Sequence, residues 1–156
     1  MLYATLKLLH VLSIVVWIGG MVFAHFFLRP ATQDLEAAVR VRLMQATLQR
    51  FFQAVLVAVG VVLVTGLWMI GRVAKETVQA GLDFNMPLNW TIMATLGIVM
   101  MLIFGHIRFA LFKRLSRAVA AQDWPAGAAA LAGIRTAVSI NLGLGVGIIA
   151  VTFWMA

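Results

Sequence analysis

Three histidines are the residues of this chain best suited to chemistry, and each lies in a strongly apolar stretch: His10, His25 and His106. Ionisable side chains are rare inside membrane segments and usually have a functional role there. A neutral imidazole is a common metal ligand, although it can also simply hydrogen-bond inside a core. Because all three histidines lie in apolar surroundings, we favour ligation over packing.

The composition places these histidines in a membrane protein. Of 156 residues, 63% are hydrophobic and 11% are charged, and the mean hydropathy is +1.03, whereas a soluble domain carries roughly a quarter charged residues. The absence of cysteine excludes disulfides, thiolate metal sites, iron–sulfur clusters and covalently attached haem. The net charge of +7 is better explained by membrane topology and anionic groups than by nucleic acid, which we do not expect as a partner.

Four stretches of 21 to 24 residues contain no Asp, Glu, Lys or Arg. A helix of about 20 apolar residues crosses a hydrocarbon core of roughly 30 Å. Lipid cannot hydrogen-bond to the backbone, so a membrane-spanning segment satisfies its backbone groups internally, as a helix does. The sequence therefore predicts an all-α protein, an integral membrane four-helix up-down bundle in a single domain. The spans are expected at about residues 4–28, 51–71, 87–112 and 134–155.

Basic residues cluster in two of the three connections. They are Arg29, Arg40, Arg42 and Arg50 around the first, and Lys113, Arg114, Arg117 and Arg135 around the third. The positive-inside rule predicts that these connections are cytoplasmic and that both termini lie outside. We therefore expect a multi-pass protein of the bacterial inner membrane, with lipid as its surroundings.

The connection over residues 31–50 is amphipathic. Apolar residues recur there at helical spacing, as Leu35, Val39, Leu43 and Ala46. This pattern predicts a helix that either continues the second span or lies along the membrane surface. In the fourth span, Gly143, Gly145 and Gly147 allow close helix approach, and this glycine face would permit a homodimer.

His25 and His106 occupy similar depths in two parallel spans, each a few residues before the basic end. The first and third helices of an up-down bundle are diagonal neighbours. Two facing imidazoles there could be the axial ligands of haem b, which needs no cysteine. Arg29 and Arg108 could bind its propionates, and Asn141 could contact its edge.

His10 begins a stripe along one face of the first span that comprises His10, Ile14, Trp17, Met21 and His25. We expect this stripe to face the interior of the bundle. His10 occupies the outer half of the span, where no second histidine exists.

Thioethers are the other metal-binding groups available near His10. Met69 and Met93 also lie towards the outer side, and Met21 follows His10 on the stripe. A His/Met set suits either Cu(I) or a His–Met haem. Methionine is equally a common filler of irregular cores, so both interpretations stay open.

Short motifs in the first two spans resemble those of the CopD family, membrane proteins named for copper resistance. They are Lys7-Leu-Leu-His10, Trp17-Ile-Gly19-Gly20, and Arg50-Phe51-Phe52 followed by Thr65-Gly66. In the third span, Phe104-Gly-His106-Ile-Arg108 is similar to the HemJ group, which is linked to protoporphyrinogen oxidation and binding of b-type haem. The resemblance implies roles for His10, Trp17 and His106.

Three functional hypotheses follow. The first is a haem b protein, a membrane oxidoreductase that moves electrons from a quinone or porphyrin to an acceptor such as a redox partner protein. The second is a copper-binding or copper-transport protein that uses His10 and methionines. The third is a non-catalytic assembly subunit in which the histidines merely pack.

Overall fold

The computed structural model describes residues 1–155, which form four long helices. They are α1 (Leu2–Ala31), α2 (Ala37–Gln79), α3 (Leu88–Ala120) and α4 (Trp124–Trp154). Each helix is long and apolar enough to cross a membrane, and the described residues include no strand. The prediction of an all-α bundle of four membrane helices is confirmed.

The helices pack as two hairpins joined side by side. α1 lies along α2, and α3 lies along α4. Across the bundle, α2 and α4 also touch, where Gly127 lies against Val41. α1 and α3 occupy the other diagonal, and Trp17 and Phe104 meet there with ring centroids 6.0 Å apart.

A chain of aromatic rings fills the middle of the bundle. The Trp17–Phe104 contact continues to Phe52, 5.8 Å from Phe104, and then to Phe112, 5.4 Å from Phe52. All three contacts are edge-to-face, the arrangement that the ring quadrupole favours. These four side chains are almost fully buried, so they connect α1, α2 and α3 through one continuous core.

The helices extend well beyond the thickness of a membrane. α2 has 43 residues, a length of about 65 Å, compared with roughly 30 Å of hydrocarbon. Its first part continues the membrane helix into the basic end of the molecule, where it packs against the end of α3 and the start of α4. Val41 of α2, Leu115 of α3 and Gly127 of α4 are buried there.

Of the two placements predicted for the 31–50 connection, the structure has the helix that continues the second span, from Ala37 onward. Leu35, Val39 and Leu43 are exposed, whereas Val41 and Leu48 form the buried side. The physical reason is that Val41 and Leu48 are in phase with the buried residues of the membrane part of α2, and one continuous helix presents one continuous face.

A short break separates α3 from α4. The side chain of Asp123 caps α4 by accepting a hydrogen bond from the backbone N–H of Ala126 at 3.0 Å, which satisfies one of the otherwise free donors of the first turn. Pro125 lies in that first turn, where the missing N–H of proline has no cost.

Of the three glycines predicted to allow close helix approach in α4, Gly145 is the one that meets a neighbouring helix within the bundle. A Cβ atom on Gly145 would lie 3.0 Å from Ile18 and 3.2 Å from Met100, whereas one on Gly143 or Gly147 would meet nothing within 4 Å. Gly145 therefore fits α4 against α1 and α3, and the homodimer stays a prediction.

We expect Gly145→Val to destabilise the bundle by about 1–3 kcal/mol, the usual cost of overpacking a filled core. Gly147→Val, two residues along the same helix, is the matched control, because open space surrounds Gly147. Thermal unfolding in detergent measures the difference. Equal losses of stability in the two variants would contradict this account of α4 packing.

Candidate functional site

His10 lies half-buried on α1 and faces α2. Its Nδ1 atom is 2.9 Å from the Oγ1 atom of Thr65, a hydrogen-bond distance. Thr65 itself is only 3% exposed. The predicted inward position of His10 is therefore present, and a buried hydroxyl holds its ring.

The contacts of Thr65 determine which nitrogen of His10 carries the proton. The Thr65 hydroxyl is 2.6 Å from the carbonyl oxygen of Val61. A carbonyl can only accept, so the single hydroxyl proton is donated to Val61. With that proton donated to Val61, the Thr65 oxygen is placed to accept from Nδ1–H of His10, an arrangement that favours a free lone pair on Nε2, one of the two ring nitrogens through which histidine binds metals.

Gly66 lies against this imidazole, and three methionines occupy buried or half-buried positions elsewhere in the bundle. A Cβ atom on Gly66 would lie 3.3 Å from the ring carbon Cε1 of His10, so a glycine there leaves room for the ring. Met69 follows Thr65 by one helical turn on α2 and is half-buried. Met93 is half-buried on the diagonal helix α3, and Met21 is buried in the core.

No carboxylate or thiolate cluster accompanies His10. Over residues 1–155, the side chains of His, Cys, Asp and Glu form no group of three or more that could hold a metal ion. Any metal bound by His10 would need thioethers or other neutral donors to complete its coordination. Among metal ions, Cu(I) is the one that such soft donors favour.

His25 is held in the same manner at the other end of α1. Its Nδ1 atom is 3.3 Å from the hydroxyl oxygen of Ser139 on α4. That hydroxyl donates to the carbonyl oxygen of Arg135 at 2.9 Å, so it accepts from His25 and again leaves Nε2 free. His25 also lies in a π-helical segment, Phe23–Leu28, a feature that occurs often at functional sites.

The structure does not bring His25 and His106 together. His106 is exposed on α3, while its neighbours Phe104 and Ile107 take the buried positions. Between α1 and α3 the interior is filled by Trp17 against Phe104. The expected diagonal pair of imidazoles is absent because aromatic packing occupies that place, so haem b has no support from this arrangement.

Arg108 and Arg29, the predicted propionate partners, lie in different surroundings. Arg108 belongs to a second π-helical segment, Ile107–Leu111, and its guanidinium lies 5.4 Å from the ring centre of Phe112. Its Nε atom is buried without a hydrogen-bond partner among the described residues. Arg29 lines a cavity beside His25.

Asn141 lies inside the bundle, on the inner face of α4. It is 1% exposed, and neither atom of its side-chain amide has a hydrogen-bond partner within residues 1–155. A buried unpaired amide costs free energy, because both groups lose their bonds to water. Trp17 is likewise buried, in contact with Phe104, as a core residue.

Sequence reasoning did not pair Thr65 or Ser139 with a histidine, and it did not foresee the π-helical segments. Thr65 and Ser139 bond back to carbonyls of their own helices, and serine and threonine do this in many membrane helices without any further role. Their partnership with a histidine depends on helix pairing, which a single sequence does not display. The sequence signal for Thr65 is a hydroxyl side chain in an otherwise apolar run.

Fold and site together define the class: a multi-pass helical membrane protein with an oriented histidine inside its bundle. A family model described as copper resistance protein D, CopD, matches residues 45–155. The chain belongs to the CopD family. No curated protein and no solved structure matches it.

We expect His10 to carry its proton on Nδ1 in the folded protein, because the Thr65 hydroxyl accepts there. Nitrogen NMR of histidine-labelled protein in detergent distinguishes the two tautomers by their chemical shifts. In Thr65→Val the acceptor is removed and the preference should disappear. A His10 signal with Nε2 protonated in the unchanged chain would contradict the assignment.

Proposed function

We propose that this protein binds Cu(I) within the membrane and that His10 is a ligand through Nε2. The observation that carries the proposal is the Thr65 contact, which orients the ring of His10 and favours a free lone pair on Nε2. Membership of a copper-resistance family supports copper as the ion. Copper is here the cargo that the protein takes up or releases.

The chemistry around His10 supports Cu(I) over harder ions. An imidazole and thioethers are soft neutral ligands, and they suit Cu(I) better than ions that prefer carboxylates. Met69 and Met93 are the sulfur ligands we propose, since both are half-buried in the same half of the bundle. Thr65 acts as a positioning residue that orients the ring.

The proposed orientation has the His10 end outside and the basic end in the cytoplasm of a bacterium, with the protein in the inner membrane. The density of Arg and Lys at one end of the bundle supports this orientation. His10 would then meet copper arriving from the outer side.

His10→Ala should lower the affinity for Cu(I) by at least about 100-fold, because loss of a ligand exceeds the roughly 10–100-fold cost of losing an outer partner. His106→Ala is the matched control, since it removes an exposed histidine from the same membrane domain. Affinity is measured by competition with a Cu(I) chelator, and copper tolerance of cells that express each variant is compared.

Several outcomes would overturn this proposal. Equal copper binding by His10→Ala and the unchanged chain would return His10 to a packing role, as in an assembly subunit. A Soret band in protein from haem-replete cells, lost in His106→Ala, would favour the haem hypothesis instead.

Thr65→Val should weaken Cu(I) binding by roughly 10–100-fold without removing any ligand, because the ring of His10 is no longer held in one tautomer. Thr65→Ser keeps the hydroxyl and should bind nearly as well as the unchanged chain. Chelator competition measures both variants. A valine variant that binds as tightly as the serine variant would show that Thr65 has no positioning role.

A further inference from the structure

A cavity of about 260 Å³ opens at the basic end of the bundle, between α1, α2 and α4. His25 and Arg29 of α1, Arg40 of α2 and Arg135 of α4 all line it. It forms because α1 ends at Ala31 while α2 and α4 extend further. The cavity lies far from His10 along α1 and is separate from the proposed copper site.

The polar part of this cavity is cationic. Three guanidinium groups line it, and no Asp or Glu does. Over residues 1–155 the one ion pair is Arg72–Glu76, at the opposite end of α2, so no carboxylate neutralises the three arginines within 4 Å. Arg40 donates to the carbonyl oxygen of Gln33 at 3.2 Å and keeps further donors free. Phosphate is the anion that several guanidinium groups bind best.

The inner part of the cavity wall is apolar, and a second groove adjoins the cavity. Leu48, Ile134 and Val138 line the inner part of the cavity. The groove runs onward between α1 and α4, lined mainly by apolar residues such as Phe26, Leu142 and Val146. His25 lines both, so the cationic cavity and the apolar groove adjoin each other at this residue.

The length of this surface matches one leaflet of a membrane. Arg135 and Val146 are eleven residues apart on α4, about 16 Å along the helix. Half of a hydrocarbon core of roughly 30 Å is about 15 Å. An acyl chain whose headgroup is at Arg135 would therefore extend past Gly143 to Val146.

We propose that the cavity and groove together bind one anionic phospholipid. Its phosphate lies among Arg29, Arg40 and Arg135, and one acyl chain follows the groove between α1 and α4. Charge complementarity selects an anionic headgroup, and the apolar groove selects a lipid over a free phosphate. Basic pockets between membrane helices at the cytoplasmic side bind anionic lipids in this manner.

The test is native mass spectrometry of the full chain in detergent, titrated with phosphatidylglycerol or with phosphatidylcholine of the same acyl chains. We expect tighter binding of phosphatidylglycerol, and a loss of about fivefold for Arg135→Gln, the usual contribution of one arginine near a lipid surface. Arg117→Gln is the matched control, since Arg117 is exposed at the same end and lines neither feature.

A second variant distinguishes binding of the lipid headgroup from binding of its acyl chain. Gly143 lines the groove, and an added Cβ would meet nothing within 4 Å, so Gly143→Leu fills the groove without disturbing the fold. It should weaken binding of the long-chain lipid and leave binding of soluble glycerol phosphate unchanged.

Three outcomes would overturn the proposal. Equal affinity for the two lipids would indicate only general solvation by lipid. Equal effects of Arg135→Gln and Arg117→Gln would indicate nonspecific charge at this end. Glycerol phosphate that binds as tightly as the lipid, with no effect of Gly143→Leu, would indicate a site for a soluble anion.

Discussion

Edge-to-face contact between Trp17, Phe104, Phe52 and Phe112 is the interaction on which the rest of this bundle depends. Between helices in lipid there is little hydrophobic driving force, because the acyl chains are as apolar as the side chains that they replace. Dispersion and ring geometry must supply the cohesion instead. These rings set the spacing of α1 and α3, and they also decide what the interior has room for.

Polar groups inside such a core each need a partner, and His10 and His25 obtain one in the same way. A hydroxyl on the neighbouring helix gives its own proton to a carbonyl one turn back and accepts from the imidazole. The backbone thereby fixes the tautomer of a side chain on another helix. One such contact is at each end of α1, so on a single helix the Nδ1 atoms of two histidines are held by hydroxyls and their Nε2 atoms are left without a hydrogen-bond partner from those hydroxyls.

The sequence could predict the four helices, their apolar character and the inward stripe on α1. Lipid permits few architectures, and the length of each apolar stretch shows directly whether a helix can cross the membrane. The buried face of the 31–50 connection was not predictable in the same way. Both of its faces carry apolar residues, and the choice between Val41 and Val39 depends on where α3 and α4 lie. His106 illustrates the same limit. Its depth along α3 can be read from the sequence, but the direction in which it faces depends on how the helix is rotated, and the buried positions are taken by Phe104 and Ile107.

The two π-helical segments, Phe23–Leu28 and Ile107–Leu111, have an effect on the helices that contain them. Each wider turn accommodates an additional residue, which rotates everything after it by about 100° relative to an uninterrupted α-helix. In α1 only the three residues Arg29–Ala31 follow the wider turn, whereas in α3 the nine residues Phe112–Ala120 do. There the insertion spaces the buried residues Ile107 and Phe112 five positions apart. Phe112, Leu115 and Ala118 are thereby brought to the buried side of the helix beyond the turn, a side that an uninterrupted α-helix would give to different residues.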